Sequence, residues 1–323
     1  MELKAVLKEL CNAEGTLSAL EVAEKYLKDF CEIKRHGNSL VASFGEGETV
    51  LLEAHIDEIG LIVTDIKNGF LKVAPVGGVD ARMLPGMRVK IHGRTDALGV
   101  ACSTPPHLKK DSDEVPSFDN VYIDTGLGAK ADGVISEGDK ITFVGELCEL
   151  QGSRVTARSL DDRAGVAAVM LAAEALYKEN VCKKVTVLLS DQEETGGIGA
   201  KTATFSLEPA YAVAVDVSFG NQPGVSECGF LGKGAMIGIS PFLSNEVTEK
   251  LKSVAEKNEI KHQLEVMGGR TSTDADHIAL SRSGVKTGLL SIPLRNMHTP
   301  TEVVDLEDIE SVAEILAGFV KEL

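Results

Sequence analysis

The chain has 323 residues, enough for one large domain or two moderate ones, and its 43% hydrophobic content is that of an ordinary globular protein. Its 49 acidic and 33 basic side chains leave a formal charge of −16, which excludes nucleic acid and anionic membranes as partners, because phosphate binding needs clustered Lys and Arg. No apolar run approaches the roughly 18 residues of a membrane span. No secretory leader is apparent in MELKAVLKEL, and the six scattered cysteines, with no C-x-x-C pair, fit reduced thiols, so a cytosolic (cytoplasmic) protein is predicted.

In chain order, the N-terminus reads as helical. Ser18 and Glu21 suggest a capping box ahead of an apolar face made by Leu20, Ala23, Leu27 and Phe30. Strands are predicted over 39–44 and 49–54, joined by a hairpin turn at Gly45–Gly47, and the second runs into His55-Ile56-Asp57-Glu58. From about Val63 to Gln151 the helical periodicity disappears. Short β-rich pieces (70–73, 88–92, 140–144) alternate with Gly, Pro and Asp turns, a Pro105-Pro106 break and a polar run, Lys109–Glu114. The pattern is α/β on both sides of this stretch. Residues 64–151 are therefore predicted to be a small all-β domain inserted into a discontinuous α/β domain of residues 1–63 and 152–323.

After Gly152, Leu160-Asp161-Asp162-Arg163 opens an apolar helix over 164–177, where acids are favoured by the helix dipole. The segment KVTVLLSDQEETGGIGA (184–200) starts as a β-branched strand, passes through the adjacent carboxylates Glu193 and Glu194, and turns at Gly196, Gly197 and Gly199. Neighbours on an extended segment point to opposite sides, so these two acids are expected to do different jobs. A strand over 211–215 ends at Asp216, and a helix over 245–258 is capped by Ser244. Thr271–Asp274 leads a helix to Ser283 that stops at Gly284. A strand over 287–292 enters Pro293–Pro300, which contains His298, and a helix over 306–323 closes the chain.

Chemistry-bearing residues recur at one structural position. His55, the Glu193–Glu194 pair, Asp216 and His298 each follow a predicted strand, and Asp161 and Asp162 start a helix. If the strands lie parallel in one sheet, all converge on its ligand-binding edge. Each alone has a bland reading as turn former, cap or surface residue, whereas their joint recurrence does not. His and carboxylate donors without Cys suit Zn²⁺, Co²⁺ or Mn²⁺. Two such ions about 3.5–4 Å apart need one bridging carboxylate and further ligands on each ion. The inventory supplies His55 and Asp216 for one ion, Glu194 and His298 for the other, and an Asp from the helix start between them. Spacing does not choose between Asp161 and Asp162. A water shared by the ions would titrate toward neutrality, and Glu193 would take its proton. Asp57 would hold the far nitrogen of His55.

The segments AHIDEIG (54–60), SLDDRAG (159–165), QEETGGIGA (192–200), VDVS (215–218), TSTDAD (271–276) and IPLRNMHTP (292–300) together resemble the motif series of the tetrahedral (TET) aminopeptidases. That family comprises glutamyl, leucyl and deblocking aminopeptidases with two co-catalytic metals, some labelled endoglucanase. The resemblance covers essentially the whole chain in order. It implies a zinc-peptidase-like α/β domain with a mixed sheet flanked by helices, and an inserted β domain used for dimerisation. It implies metal ligands at His55, Asp161, Glu194, Asp216 and His298, with Asp161 bridging, Glu193 as general base and Asp57 behind His55. It further implies peptide substrates with a free N-terminus and dimers that assemble into a hollow dodecamer. The Pro105-Pro106-His107-Leu108 segment fits the family, while Asn296 departs from it, standing where the family usually has Tyr.

Two other activities share part of this inventory. A related dinuclear amidase or deacylase is chemically closest, and would not require a free amine. A glycoside hydrolase would place two carboxyls about 5–9.5 Å apart around a sugar, usually in an aromatic-rich cleft. With no Trp, four Tyr and ten Phe, the chain is poorly equipped for that. His36, His92, His262 and His277 fall in no ligand series and read as surface or packing residues. Arg163, Arg270 and Arg295 are candidates for shaping the site or a subunit contact.

Overall fold

The computed structural model describes residues 1–108, 115–226 and 228–323; the polar run 109–114 lies outside them. The chain divides into two compact units, one of residues 1–57, 146–297 and 301–323, the other of 58–145 with 298–300. The sequence pattern set the edges of the β-rich stretch at 64 and 151. The observed edges lie earlier because Gly60–Lys67 is already a barrel strand and Cys148–Glu149 pairs with Arg154–Ala157 in the larger unit.

In chain order the elements are α1 (Leu3–Asn12), α2 (Gly15–Leu27), β1 (Glu32–His36), β2 (Ser39–Phe44) and β3 (Thr49–His55). Then follow β4 (Gly60–Lys67), β5 (Phe70–Val76), β6 (Arg88–His92), β7 (Ala97–Ser103), β8 (Val121–Asp124), a single turn α3 (Ala131–Val134) and β9 (Lys140–Phe143). The rest are β10 (Cys148–Glu149), β11 (Arg154–Ala157), α4 (Leu160–Lys178), β12 (Lys184–Ser190), α5 (Ile198–Leu207), β13 (Tyr211–Phe219), β14 (Ala235–Ile239), α6 (Asn245–Lys257), β15 (His262–Val266), α7 (Asp274–Ala279), β16 (Lys286–Leu294), β17 (Glu302–Asp305) and α8 (Leu306–Glu322).

Among the described residues of the larger unit, eight strands form one mixed sheet in the order β1-β2-β12-β3-β13-β16-β14-β15. The central strands β12, β3, β13 and β16 are mutually parallel. Parallel strands are buried on both faces, which explains the near-continuous apolar runs of β3 and β12. Leu52, Ala54, Val187, Leu189, Val213, Val215, Leu290 and Ile292 face α4 and α8 in one core cluster, with α1 packed on α4. Leu51, Leu188, Ala212, Ala214 and Leu289 face α5 and α7 in another. On α8, Ile309, Val312, Leu316 and Phe319 recur at helical spacing and are fully buried. Truncating Phe319 to Ala would cost about 3–5 kcal/mol.

Three local expectations change. β2 and β3 are not a hairpin, because β12 lies between them, antiparallel to β2 and parallel to β3. The connecting Gly45 crosses the start of β12 so closely that a Cβ there would strike the carbonyl of Lys183. Ser18 lies inside α2, which begins at Gly15, so no capping box forms there. α7 ends at Ala279 rather than Ser283, since Arg282 (φ 52°) and Gly284 (φ 99°) turn the chain.

The other unit is a closed barrel in the order β4-β5-β8-β7-β6-β9, with β9 returning to β4. Alternating residues such as Leu61, Val63, Leu71, Val73, Val89 and Ile91 fill its interior. The Pro106–Leu108 segment is a 3₁₀ turn, and His92 Nε2 lies 2.9 Å from Thr142 Oγ1.

Candidate metal centre

The period-2 alternation of a strand puts Leu51, Glu53 and His55 of β3 on the face shared by Ala212, Ala214 and Asp216 of β13 and by Leu188 and Ser190 of β12. The acids and the imidazole of this face lie toward the C-terminal strand ends, where open α/β sheets bind ligands. Asp161 arrives from the start of α4. The first residues of that helix are irregular: Asp161 and Asp162 have non-helical backbone angles, and the peptide bond between them is cis. Asp162 Oδ1 accepts from Gly165 N at 3.0 Å, an N-terminal cap from inside the helix. Asp161 N donates to the buried carboxylate of Glu302 at 3.1 Å. The two acids therefore divide, with Asp162 turned to the helix and Asp161 turned to the sheet.

His55 Nε2 lies 3.0 Å from Asp161 Oδ1 and 3.9 Å from Asp216 Oδ1. One donor atom from each of these three residues falls within 4.8 Å of the others, and Asp161 has the same relation to Glu194. His55, Asp161 and Asp216 are 2%, 6% and 7% exposed, so the cluster is withdrawn from water. Burial pushes the Asp216 carboxyl well above the carboxylate range, with the nearby His55 working against it and the charges of Asp162 and Asp161 adding to it. Burial would lower the His55 pKa, but its contacts with Asp161 and Asp57 and the charge of Asp216 raise it well above the usual value. Buried acids around one imidazole, with no thiol in the set, fit a hard to borderline divalent cation, whose charge would offset this crowding.

Glu193–Gly196 form a turn rather than an extended segment, so the two acids are separated by turn geometry and not by strand alternation. Gly196 N and Gly197 N donate to Glu193 O (2.9 Å) and Gln192 O (2.8 Å). Asp57 fastens the turn: its Oδ1 accepts from Glu193 N at 3.1 Å and its Oδ2 from Glu194 N at 3.3 Å. Its approach to the ring of His55 is looser, 3.5 Å from Oδ1 to Nδ1. The Glu193 carboxyl is pushed up to about 7, chiefly by burial, with His55 opposing and the negative charges of Asp274, Glu194 and Asp161 adding. A group near 7 both accepts and returns a proton at neutral pH.

His298 packs with the barrel unit, where its Nδ1 lies 3.1 Å from Gly78 O. Asn296 adopts φ 56°, a left-handed conformation that Asn tolerates better than most residues, and its N donates to Gln222 Oε1 at 2.9 Å.

Several residues enter that the sequence pattern did not single out. Ser190 Oγ lies 2.7 Å from Glu53 Oε1 and 2.7 Å from Asp274 Oδ2. Burial, reinforced by Asp274, pushes the Glu53 carboxyl well up. Glu53 shares its sheet face with His55, so strand alternation was the signal available for it. Glu302 carries no comparable signal, because it meets Asp161 from 141 residues away.

The three arginines have specific partners. Arg163, fully buried, donates to the carbonyls of Leu10 and Ala13 (2.6 Å each) at the end of α1, where a cation suits the helix dipole. Arg295 binds Asn221, and Arg270 stacks on Phe242. His262 is bonded to Ile260 O, and His277 packs beneath Gly197.

Comparisons with known proteins agree with this architecture. Lysyl aminopeptidase of Pyrococcus furiosus is 32% identical over 313 residues, covering 93% of this chain and 89% of the relative. An aminopeptidase from the archaeon Desulfurococcus kamchatkensis, 32% identical, superposes with a TM-score of 0.92 over 99% of this chain and 95% of its own. The Pyrococcus horikoshii TET1 peptidase, which can assemble into a tetrahedron or a large octahedral shell, is 32% identical with a TM-score of 0.89, covering 100% of each chain. The mixed sheet with flanking helices is the fold of these TET peptidases. The profile of the M42 glutamyl aminopeptidase family matches residues 37–315, and this chain belongs to that family, a peptidase among the hydrolases.

Proposed function

We propose that this chain is an aminopeptidase dependent on two divalent cations, releasing residues from peptides with a free N-terminus, with Glu193 as general base. The observation that carries the reading is the buried His55–Asp161–Asp216 cluster, with Glu194 beside Asp161 and a neighbouring Glu193 held near neutrality. In this reading His55 and Asp216 would hold one ion, Glu194 and His298 would hold the other, and Asp161 would serve both. The donor set suits Zn²⁺, Co²⁺ or Mn²⁺. When bound, such ions would polarise the scissile carbonyl and acidify the attacking water. Glu193 takes a proton from that water and delivers it to the leaving amine nitrogen. Asp57 keeps both glutamates at their posts by holding their amides. The acidic surroundings favour a substrate that brings its own positive charge, the free α-amino group.

Replacing Glu193 by Gln tests this directly. The variant should bind two metals per subunit yet hydrolyse aminoacyl anilides roughly 10²–10⁴-fold more slowly. Near-wild-type turnover would remove Glu193 from the mechanism. N-acetylated peptides should be refused; their cleavage would favour an amidase or deacylase.

The barrel unit is proposed as the dimerisation element of a TET-type dodecamer in the cytoplasm. Its strand β7 carries Leu98 and Val100 at 68% and 44% exposure, an apolar pair that a partner subunit would cover. A monomer in sedimentation at micromolar concentration would overturn this assembly. Among the described residues no helix is long and apolar enough to cross a membrane.

A further inference from the structure

The reaction proposed above needs two arms in fixed relation, His55 on β3 and Glu193 on the turn after β12. Beneath them lies a buried group made of Ser190, Glu53 and Asp274. Ser190 and Glu53 are 0% exposed and Asp274 is 2% exposed. The serine hydroxyl sits 2.7 Å from an oxygen of each acid, joining β3, β12 and the first residue of α7. Ser190 is paired in register with His55, and its carbonyl accepts from Ile56 N at 2.8 Å. Glu53 lies two residues before His55 on the same face. On the other side, α7 supports the turn itself: a Cβ on Gly197 would collide with the ring of His277 and come within 2.9 Å of Asp274 Oδ1. Gly197 closes the turn that carries Glu193 and Glu194 through its bond to Gln192 O.

We propose that Asp274 is a positioning residue: through Ser190 and Glu53 it ties α7 to the His55 strand, and through Gly197 it supports the turn bearing Glu193 and Glu194 from below. Asp57 grips the same turn by its amides, so the turn is held between two acids. The inference rests on the reading of Glu193 as base, but the tie itself exists without metal or substrate and is measurable without either. One serine hydroxyl has one hydrogen, so it donates to one of its two acid neighbours at a time. An amide at 274 keeps a donor and an acceptor in place, whereas Ala keeps neither.

The test compares the full-length Asp274→Ala, Asp274→Asn and Ser190→Ala variants with the wild type. Amide exchange is first followed by mass spectrometry on chelator-treated protein. Segment 190–197 should exchange at least tenfold faster in Asp274→Ala and Ser190→Ala, with the wild-type rate largely restored in Asp274→Asn, while α8 is unchanged in all three. With Co²⁺ or Zn²⁺ restored, Asp274→Ala should lose kcat by one to two orders of magnitude with KM within threefold. Unchanged exchange over 190–197 overturns the tie. Exchange that accelerates equally in α8 and in 190–197 reduces Asp274 to a general stability residue and also overturns it. Should even the wild type fail to cleave peptides with any metal, the peptidase reading falls, while the exchange measurement still decides the tie.

Discussion

Two helix starts in this molecule each carry a pair of buried acids, and they put them to different uses. At the start of α8, Asp305 caps Glu307 N and receives Ser153 Oγ at 2.6 Å, while Asp308 takes Gly232 N at 2.8 Å and Gly234 N at 2.6 Å. Those carboxylates serve part-buried and buried amides and a hydroxyl. At the start of α4, Asp162 does such work, for Gly165 N. Asp161 instead directs Oδ1 at His55, beside Asp216. A buried acid surrounded by donors holds the fold together. A buried acid facing other acids and an imidazole crowds like charges that a bound cation would offset.

The largest test of that contrast is Asp161→Asn. Neutralising this carboxylate should change the stability of the metal-free protein little, because the like charge removed from beside Asp216 and Asp162 offsets the weakened contact with His55. Metal binding and activity should nevertheless fall by more than about 100-fold, since even outer partners of metal ligands cost 10–100-fold. Equilibrium dialysis and chelator-treated thermal melts measure the two halves separately. A variant that melts much earlier but still binds both metals would make Asp161 a structural cap like its neighbour. Asp57→Ala stands next in size. It releases the amides of both Glu193 and Glu194, and about a 10–100-fold loss of kcat/KM is expected. A loss no larger than twofold would show that the turn holds itself.

The helix starts also mark the limit of what the residue pattern discloses. The strand ends were legible: apolar runs over 49–54, 184–189, 211–215 and 287–292 become parallel neighbours, and of the polar residues at their ends His55 and Asp216 come together around Asp161, with Glu194 also within reach of Asp161. Edge strand β1 escaped notice because EIKRH is charged, as suits an unprotected sheet edge. The false hairpin at Gly45–Gly47 has a similar origin, since nothing local announces that β12, about 140 residues later, will slip between the two strands. Side chains whose partners are remote in sequence were equally hidden. Glu53 meets Ser190 across 137 positions and Ser190 meets Asp274 across 84. Asp161 and Asp162 are indistinguishable by spacing, and separate only once one amide, Gly165 N, has claimed Asp162.

The α8 start supplies the opposite and smaller effects. Asp308→Ala leaves the part-buried amide of Gly232 and the buried amide of Gly234 without this acceptor, which should cost roughly 2–6 kcal/mol, at about 1–3 kcal/mol for each unsatisfied group. Metal content and kcat/KM of the folded protein should not change. Equal loss of both would erase the distinction between the two helix starts.

The finest test is the pH dependence of the same residue. Burial pushes the Asp308 carboxyl up to about 6, with the amides of Gly232 and Gly234 opposing the shift. An unfolded Asp titrates near 3.9. Between these values the folded chain holds the proton more tightly, so Asp308 favours folding most below the unfolded value, and that contribution is lost as pH rises through about 6. Asp308→Asn cannot titrate there. Denaturant melts of chelator-treated wild type and Asp308→Asn should therefore diverge on acidification, the wild type gaining roughly 1 kcal/mol relative to the variant between pH 7 and pH 5. Every other titrating group is common to both proteins, including the acids around His55, so the difference curve isolates Asp308. Parallel curves would mean that the two amides already hold this carboxylate ionised, as favourably as water does. The start of α8 would then be a fully compensated acid site, and its contrast with the crowded acids around Asp161 at α4 would be greater still.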